Sequence, residues 1–510
     1  MSFPEFCSGG VEKFRSLQPP FTVISEMQIS HRGSSSIMST HTSHTNSPEI
    51  TAALNKLDDS LSGDLITPDD SRYDSARTVW NGMIDVYPCA VIRVGSDSDI
   101  DVVLEAARDT GLPLAIRGGG HNVTGHVTVE GGLALDLCQL RAVEVDPERR
   151  LVSVAAGATL SDVDHATAPH QLAIPMGVIS ATGIAGLTLG GGVGWLTRSC
   201  GLSLDNLESA RIFTASGEHL TASAGENPDL FWGVRGGGGN FGVVSSFTFH
   251  ARSLSSPVLA GNFFYQPAHW RDALTSFEHW TQSLPDEMTP IISILVLPPE
   301  FGMGDDPWMI VGFAWASEDQ ASGLELIQQL REIAPPDGED VHLTDWIGWQ
   351  SSLDGLFPKG SRGYWKNVSF SRMDREVVDV LADIASEVTW HGTGIDIHCL
   401  GGAFSRIAED DTAFPNRSAR FWLNIYGFWT DPAEDERLTA FARKAHARMH
   451  PFAEQGQYVN FLGAEDGHDM THAARQAYGQ RTYDRLKELK NRYDPQNLFR
   501  LNHNIVPDPS

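Results

Sequence analysis

Three glycine clusters carry the first chemical signal in this chain: Arg117 to Gly125 (RGGGHNVTG), Gly183 to Trp195 (GIAGLTLGGGVGW) and Arg235 to Gly242 (RGGGGNFG). Glycine loses more backbone freedom on folding than any other residue, so runs of it need a compensating task. One such task is close approach of backbone N–H groups to an anion, typically a diphosphate. The alternative, tight turns at strand ends, is weakened by the crowding of all three clusters into one segment. The third cluster contains a formal GxGxxG at Gly237, Gly239 and Gly242. A Rossmann fingerprint opens a helix, whereas the residues that follow, Val243 to Phe249 (VVSSFTF), read as a strand. The match is accidental, and a nicotinamide Rossmann site is disfavoured. No GxxxxGK[ST] pattern occurs, which removes the simplest nucleoside-triphosphate reading.

These loops need strands and helices to hold them. From about 77 to 255 short elements alternate: strands over 90–94, 114–117, 133–137 and 151–155, and an amphipathic helix over 98–110. The 114–117 strand runs straight into Gly118, Gly119 and Gly120. Beyond residue 256, aromatic strands (261–265, 309–316, 421–429) alternate with polar helices (318–334, 375–388, 433–450), which suits a second α+β lobe. A basic amphipathic helix over 483–493 is stopped by Asp494-Pro495. The expected division is a disordered leader over 1–48, rich in Ser, Thr and His with Met38 as an alternative start, then 49–255, 256–455 and 456–510.

Bulk properties exclude several functions. Acidic residues number 65 against 37 basic ones, a net charge of -28, so no excess of cations exists to neutralise phosphates. Nucleic acid is excluded as a partner and an anionic membrane surface is disfavoured. No apolar run approaches the roughly 20 residues of a membrane span. The five cysteines are odd in number, widely spaced and free of CxxC pairs, supporting neither a disulfide framework nor a zinc site, and no metal is expected. Without a basic segment leading an apolar one at the N-terminus, a cytoplasmic location is expected. The 510-residue length allows more than one domain.

Four segments together resemble the FAD-linked oxidases of the vanillyl-alcohol-oxidase superfamily, in the berberine-bridge-enzyme-like branch. Arg117 to His121 matches an RxGGH loop. Residues 177–206 match a long pyrophosphate loop. Residues 227–242 (NPDLFWGVRGGGGNFG) match a third motif, and 493–505 (YDPQNLFRLNHNI) a C-terminal signature. The resemblance implies an α+β fold: a PCMH-type FAD-binding domain of two α/β subdomains, a substrate domain with an antiparallel sheet, and a C-terminal segment returning to the FAD domain. It implies FAD bonded covalently at its 8α carbon to His121, and a neutral imidazole is a competent nucleophile near pH 7. The residues it places around FAD are Arg117, Gly118, Gly119, Gly120, Asn122, Gly125 and His126 of the first loop. From the second come Gly177, Val178, Thr182, Gly183, Gly186, Leu187, Gly190, Gly191, Gly192, Gly194 and Trp195. Gly242, Val243 and Val244 follow the third, and Asn502 and Asn504 are expected to face one way along an extended segment. Some relatives add a cysteine bond to flavin C6; Ile179 stands at that position, so a single bond is expected. Cys200 is read as a small buried side chain.

Flavin oxidation needs a base beside the substrate. Tyr458 matches a family tyrosine and is the first choice, with Lys366 as a possible helper in lowering its pKa from about 10. On the strand over 421–429, Trp422, Asn424 and Tyr426 share one face. Asn cannot act as a base, so Asn424 is expected to orient substrate or flavin. His398 is the alternative base. Val193 replaces a family tyrosine, which weakens transfer of a detailed mechanism. Thr182 sits where relatives control oxygen access, and its small side chain is compatible with oxygen use. The resemblance thus implies an oxidase of a small alcohol, amine, sugar or secondary metabolite, with O2 as acceptor, in a monomer or homodimer. A redox-neutral cyclase and a non-catalytic flavin-binding protein remain alternatives.

Overall fold

The computed structural model describes residues 48–463 and 470–509. The expected leader lies outside them except for Pro48, which opens the helix Pro48–Asp58.

The first lobe holds two sheets. A four-stranded sheet runs in the order Asp64–Ile66, Ala90–Arg93, Leu133–Asp136, Leu114–Arg117. Its last three strands are parallel, so a crossover must connect Ala90–Arg93 to Leu114–Arg117. The helix Asp97–Thr110 provides it. Ile100, Val103, Leu104 and Ala107 fall at helical spacing and are buried. Gly111 ends the helix at φ 66, in the left-handed region. A five-stranded antiparallel sheet follows, in the order Val143–Asp146, Leu151–Ala155, Val243–His250, Leu207–Phe213, His219–Ser223. The strand Val243–His250 directly follows Gly242, as expected for a cluster that does not open a Rossmann helix.

The second lobe is one antiparallel sheet of seven strands: β1 (Val258–Tyr265), β2 (Met288–Leu295), β3 (Trp308–Trp315), β4 (Gly338–Thr344), β5 (Arg362–Phe370), β6 (Gly394–Cys399) and β7 (Phe421–Trp429). They lie in the order β4-β1-β3-β2-β6-β7-β5. Side chains alternate between faces. On one face, Phe263, Phe313, Ile292, Ile397 and Leu423 form a buried core with the helices Trp270–Thr281, Gln320–Ile333, Arg375–Ala385 and Asp435–Met449. The other face looks toward the first lobe.

The chain returns to the first lobe before it ends. Leu400, Phe404, Phe414 and Trp422 join the first lobe's core, as do Tyr458, Leu486, Phe499 and Ile505. The buried Lys490 ammonium donates to the carbonyls of Asn240 and Phe499 and to Asp494. It thereby ties the helix Gln480–Tyr493 to the third glycine cluster. Among the described residues, no helix is long and apolar enough to cross a membrane.

Candidate active site

A cavity of about 1500 Å³ lies between the lobes. Its wall is backbone from the glycine loops, and its floor is the free face of the seven-stranded sheet.

The wall begins where the strand Leu114–Arg117 ends. Arg117 does not reach the cavity. Its guanidinium holds Asp136 at 2.5 Å, both side chains buried, across the register pair that joins two parallel strands. Gly120 then turns at φ 73. Gly119 passes so close to Gly183 that a Cβ on either would overlap the other's backbone nitrogen. Elsewhere the wall faces open space: at Gly186 and Gly239, both lining the cavity, an added Cβ meets nothing within 4 Å. The His121 ring stacks on Trp80 at 5.5 Å and 23°. Burial, helped by the Lys359 charge, pushes its pKa down to about 4, so the imidazole is neutral at pH 7. Neither ring nitrogen has a hydrogen-bond partner among the described residues.

The floor is set by register. Ser293, Asp396 and Asn424 lie side by side on β2, β6 and β7. Gly394 pairs Tyr426 and His398 pairs Trp422 along the same face. The Tyr426 hydroxyl donates to Asp396 at 3.0 Å. The Asp396 carboxyl is reached from the cavity but enclosed by protein, and burial pushes its pKa up to about 6. Asn424 is 6% exposed and its Oδ1 has no hydrogen-bond partner among the described residues. Burial pushes His398 down to about 4.

Tyr458 stands where wall meets floor. Its ring stacks on Trp422 at 5.1 Å and 11°. Its hydroxyl accepts from the Gly192 N–H and from Asn460 Nδ2, both at 3.0 Å. Burial raises its pKa, and those donors only partly oppose the shift. The expected helper is elsewhere: Lys366 follows Trp365 by one residue on β5, so it emerges on the helix side, 5.8 Å from the Tyr364 ring.

The cavity gathers most of the residues expected at the site: Gly118, Gly119, Gly120, His121, Asn122 and His126 from the first loop, and Gly177, Val178, Thr182, Gly183, Gly186, Leu187, Gly190 and Trp195 from the second. Gly242, Val244, His398, Asn424, Tyr426, Tyr458 and Asn502 line it too. The others serve packing. Gly125 lies against Ile84, Gly191 against the Tyr458 ring, Gly192 against Ser203 and Gly194 against the Met176 carbonyl. Val243 is buried in the first lobe's core. Residues 501–503 form a bend rather than a strand, so consecutive Asn502 and His503 line the cavity and Asn504 does not. The sequence reading passed over Asp396, Ser293 and His503. The signal for Asp396 was present: a carboxylate alternating with Ile395 and Ile397 in GIDIHC is a charge placed in a buried strand, which calls for a reason.

A mixed-sheet lobe and an antiparallel-sheet lobe close on this glycine-walled cavity, the fold shared with solved berberine-bridge-enzyme-like flavoproteins of the PCMH type. The FAD binding domain model matches residues 88–223, and the model for berberine and berberine-like proteins matches 457–506. The FAD-linked oxidoreductase YgaK of Bacillus subtilis is 28% identical over 459 residues, covering 88% of this chain and 97% of that one. The (R)-6-hydroxynicotine oxidase of Paenarthrobacter nicotinovorans is 28% identical over 471 residues, covering 88% and 98%. A solved glucooligosaccharide oxidase from Acremonium strictum, described with a 6-S-cysteinyl, 8α-N1-histidyl FAD, shares the fold with a TM-score of 0.77 at 22% identity, covering 90% of this chain and 99% of that one. The chain is thus similar, over most of its length, to FAD-linked oxidoreductases, and its C-terminal segment matches the berberine-like family.

Proposed function

We propose that the protein is an oxidase carrying FAD through a single bond between His121 and the 8α carbon, and that it dehydrogenates a small organic molecule. The cavity fits the cofactor. Its volume exceeds the several hundred cubic ångströms typical of a small-ligand site, and its wall exposes backbone without Cβ at Gly186 and Gly239. Buried Asn502 Oδ1 and His503 Nδ1 lack partners among the described residues, as groups awaiting a polar ligand do. Bound there, FAD would supply a two-electron acceptor for the substrate C–H, with O2 as the final acceptor and hydrogen peroxide as its product.

The observation that carries this reading is the state of His121: neutral, stacked on Trp80 and unbonded at both nitrogens beside the glycine wall. A nucleophile must offer a free lone pair, and burial supplies that here. Ile179, also lining the cavity, offers no thiol for a second bond. Tyr458 and Asn424 orient substrate, and Thr182, on the cavity lining, is small enough to be compatible with oxygen use.

The test is the colour and mass of acid-precipitated protein. A yellow pellet with the mass of polypeptide plus one FAD is expected, and His121→Ala gives a white pellet with unmodified mass. Anaerobic substrate bleaches the colour if the reaction is oxidative. Turnover without bleaching points to a cyclase, and a colourless native protein defeats the flavin reading.

A further inference from the structure

The charges on the cavity lining are one-sided. Among the described residues it contains Asp340, Asp345, Asp354 and Asp396 but no Lys or Arg. Three of these carboxylates already have an N–H or imidazole partner. Asp345 caps a helix through the Gly348 N–H at 2.8 Å. Asp354 accepts from the Ser180 N–H at 2.7 Å. Asp340 pairs with His342 at 3.1 Å on the edge strand. Asp396 differs: it sits on an inner strand, and its partners are neutral hydroxyls, those of Tyr426 and Ser293.

An ionised carboxylate enclosed without a counter-cation is costly, so its retention here asks for a ligand that brings one. The neighbouring groups narrow the choice. The Tyr426 proton is already given to Asp396. Asn424 Oδ1, in register beside Asp396 on the next strand, is buried, lines the cavity and lacks a donor. The floor therefore presents two adjacent acceptors. A hydroxyl brings one hydrogen and satisfies one of them; a primary or secondary ammonium brings two or three and satisfies both. His398, two residues along the same strand, is neutral at physiological pH and does not compete. Trp365 and Phe428, also on the lining, give a cation aromatic faces to rest against.

We propose that Asp396 and Asn424 form the docking site for the ammonium group of an amine substrate, and that Asp396 takes the ammonium proton. This rests on the flavin-oxidase reading and names its substrate class. The proton passes from nitrogen to an Asp396 oxygen, leaving a neutral amine. The adjoining C–H bond then breaks with its electron pair going to the bound flavin, and the nitrogen lone pair forms the C=N bond of an iminium product. Charge and electrons balance: one proton is on Asp396, one hydride is on the cofactor, and the substrate has lost both. With its pKa near 6, Asp396 is ionised at neutral pH and still basic enough to accept. The groups facing it are Tyr426 from β7, Ser293 from β2 and His398 on its own strand.

The test uses the yellow holoprotein at pH 8, titrated anaerobically with benzylamine and with benzyl alcohol. Perturbation or bleaching of the flavin spectrum reads occupancy. Benzylammonium is expected to bind at least about 30-fold more tightly than the alcohol, and Asp396→Asn to remove that preference while leaving alcohol binding within about threefold. The double variant Asp396→Asn, Asn424→Asp moves the charge one strand over. It is expected to recover part of the preference, which a misfolded floor cannot do. A yellow protein on which benzylammonium binds no better than benzyl alcohol, including one that binds neither, overturns the proposal. So does an Asp396→Asn protein that keeps the preference. A colourless protein instead defeats the flavin reading on which the proposal rests.

Discussion

The two surfaces of the cavity are built on opposite principles. The wall is backbone: Gly119 and Gly183 meet so closely that neither tolerates a Cβ, and Gly186 and Gly239 leave main chain exposed. The floor is side chain: Ser293, Asp396 and Asn424 stand one to a strand on a sheet whose opposite face is a well-packed apolar core. A backbone wall suits a constant ligand such as a cofactor diphosphate, because it has little freedom to change. A side-chain floor can be rewritten one position at a time without disturbing the sheet. On the proposed reading, a common cofactor and a variable substrate would occupy separate parts of one cavity.

Each lobe also holds a carboxyl raised by burial, and the two differ in access. Asp164, on the first-lobe helix Leu160–Thr167, is sealed beneath Trp346, whose indole N–H donates to Oδ1 at 3.1 Å. Its Oδ2 has no partner among the described residues, and burial pushes its pKa up to about 7. The native state therefore keeps a proton that the unfolded chain releases near pH 4. Stability from this group is complete below about pH 4 and is lost as pH rises through 7. Asp164→Asn removes the loss. Urea denaturation is expected to show the variant more stable than the parent by on the order of 3 kcal/mol at pH 8, the two converging near pH 4. A pH-independent difference would mean that Asp164 is ionised in the fold. Asp396, raised less and open to the cavity, puts the same linkage to use in the proposed chemistry.

The second prediction separates backbone from side chain directly. Gly119→Ala inserts one methyl into backbone that has nowhere to go, and overpacking of this kind costs about 1–3 kcal/mol. Ser293→Ala removes one oxygen from the floor and is expected to cost under about 1 kcal/mol. Thermal denaturation reads the stabilities, and the yellow colour retained after gel filtration reads cofactor loading, which only Gly119→Ala should reduce. Equal effects on loading would erase the division between wall and floor.

That division also explains what the sequence makes legible. The wall can be read because cofactor-binding backbone needs glycine in runs, and runs are local. Strands 114–117, 151–155 and 421–429 appear with the bounds expected of them. The floor is spread over about 170 residues, one polar group per strand, and no local pattern unites Ser293 with Asp396. β2 is further disguised by Pro290, a residue normally kept from inner strands. The structure tolerates it because β6 pairs with β2 only from Ile291 onward. Lys366 follows Trp365 in sequence, but the two-residue period places them on opposite faces, so the cation expected to help Tyr458 stands on the helix side.

The smallest expected effect falls at the seam. Tyr458→Phe keeps the ring on Trp422 but removes the oxygen that accepts from Gly192 N–H and Asn460 Nδ2. Leaving a buried N–H unpaired costs about 1–2 kcal/mol, and Asn460, which also donates to the Leu187 carbonyl at 3.2 Å, keeps a partner. If Tyr458 positions groups and Asp396 takes the proton, kcat on an amine falls by less than about tenfold, and the pH profile keeps its acidic limb near 6. If Tyr458 is the base, kcat falls by about a hundredfold or more and a limb disappears from the profile. Burial raises its phenol and the surrounding N–H donors only partly offset this. A phenolate there would have to form against its surroundings, whereas Asp396 is already ionised at neutral pH. The expected outcome is therefore the modest loss, with the acidic limb intact.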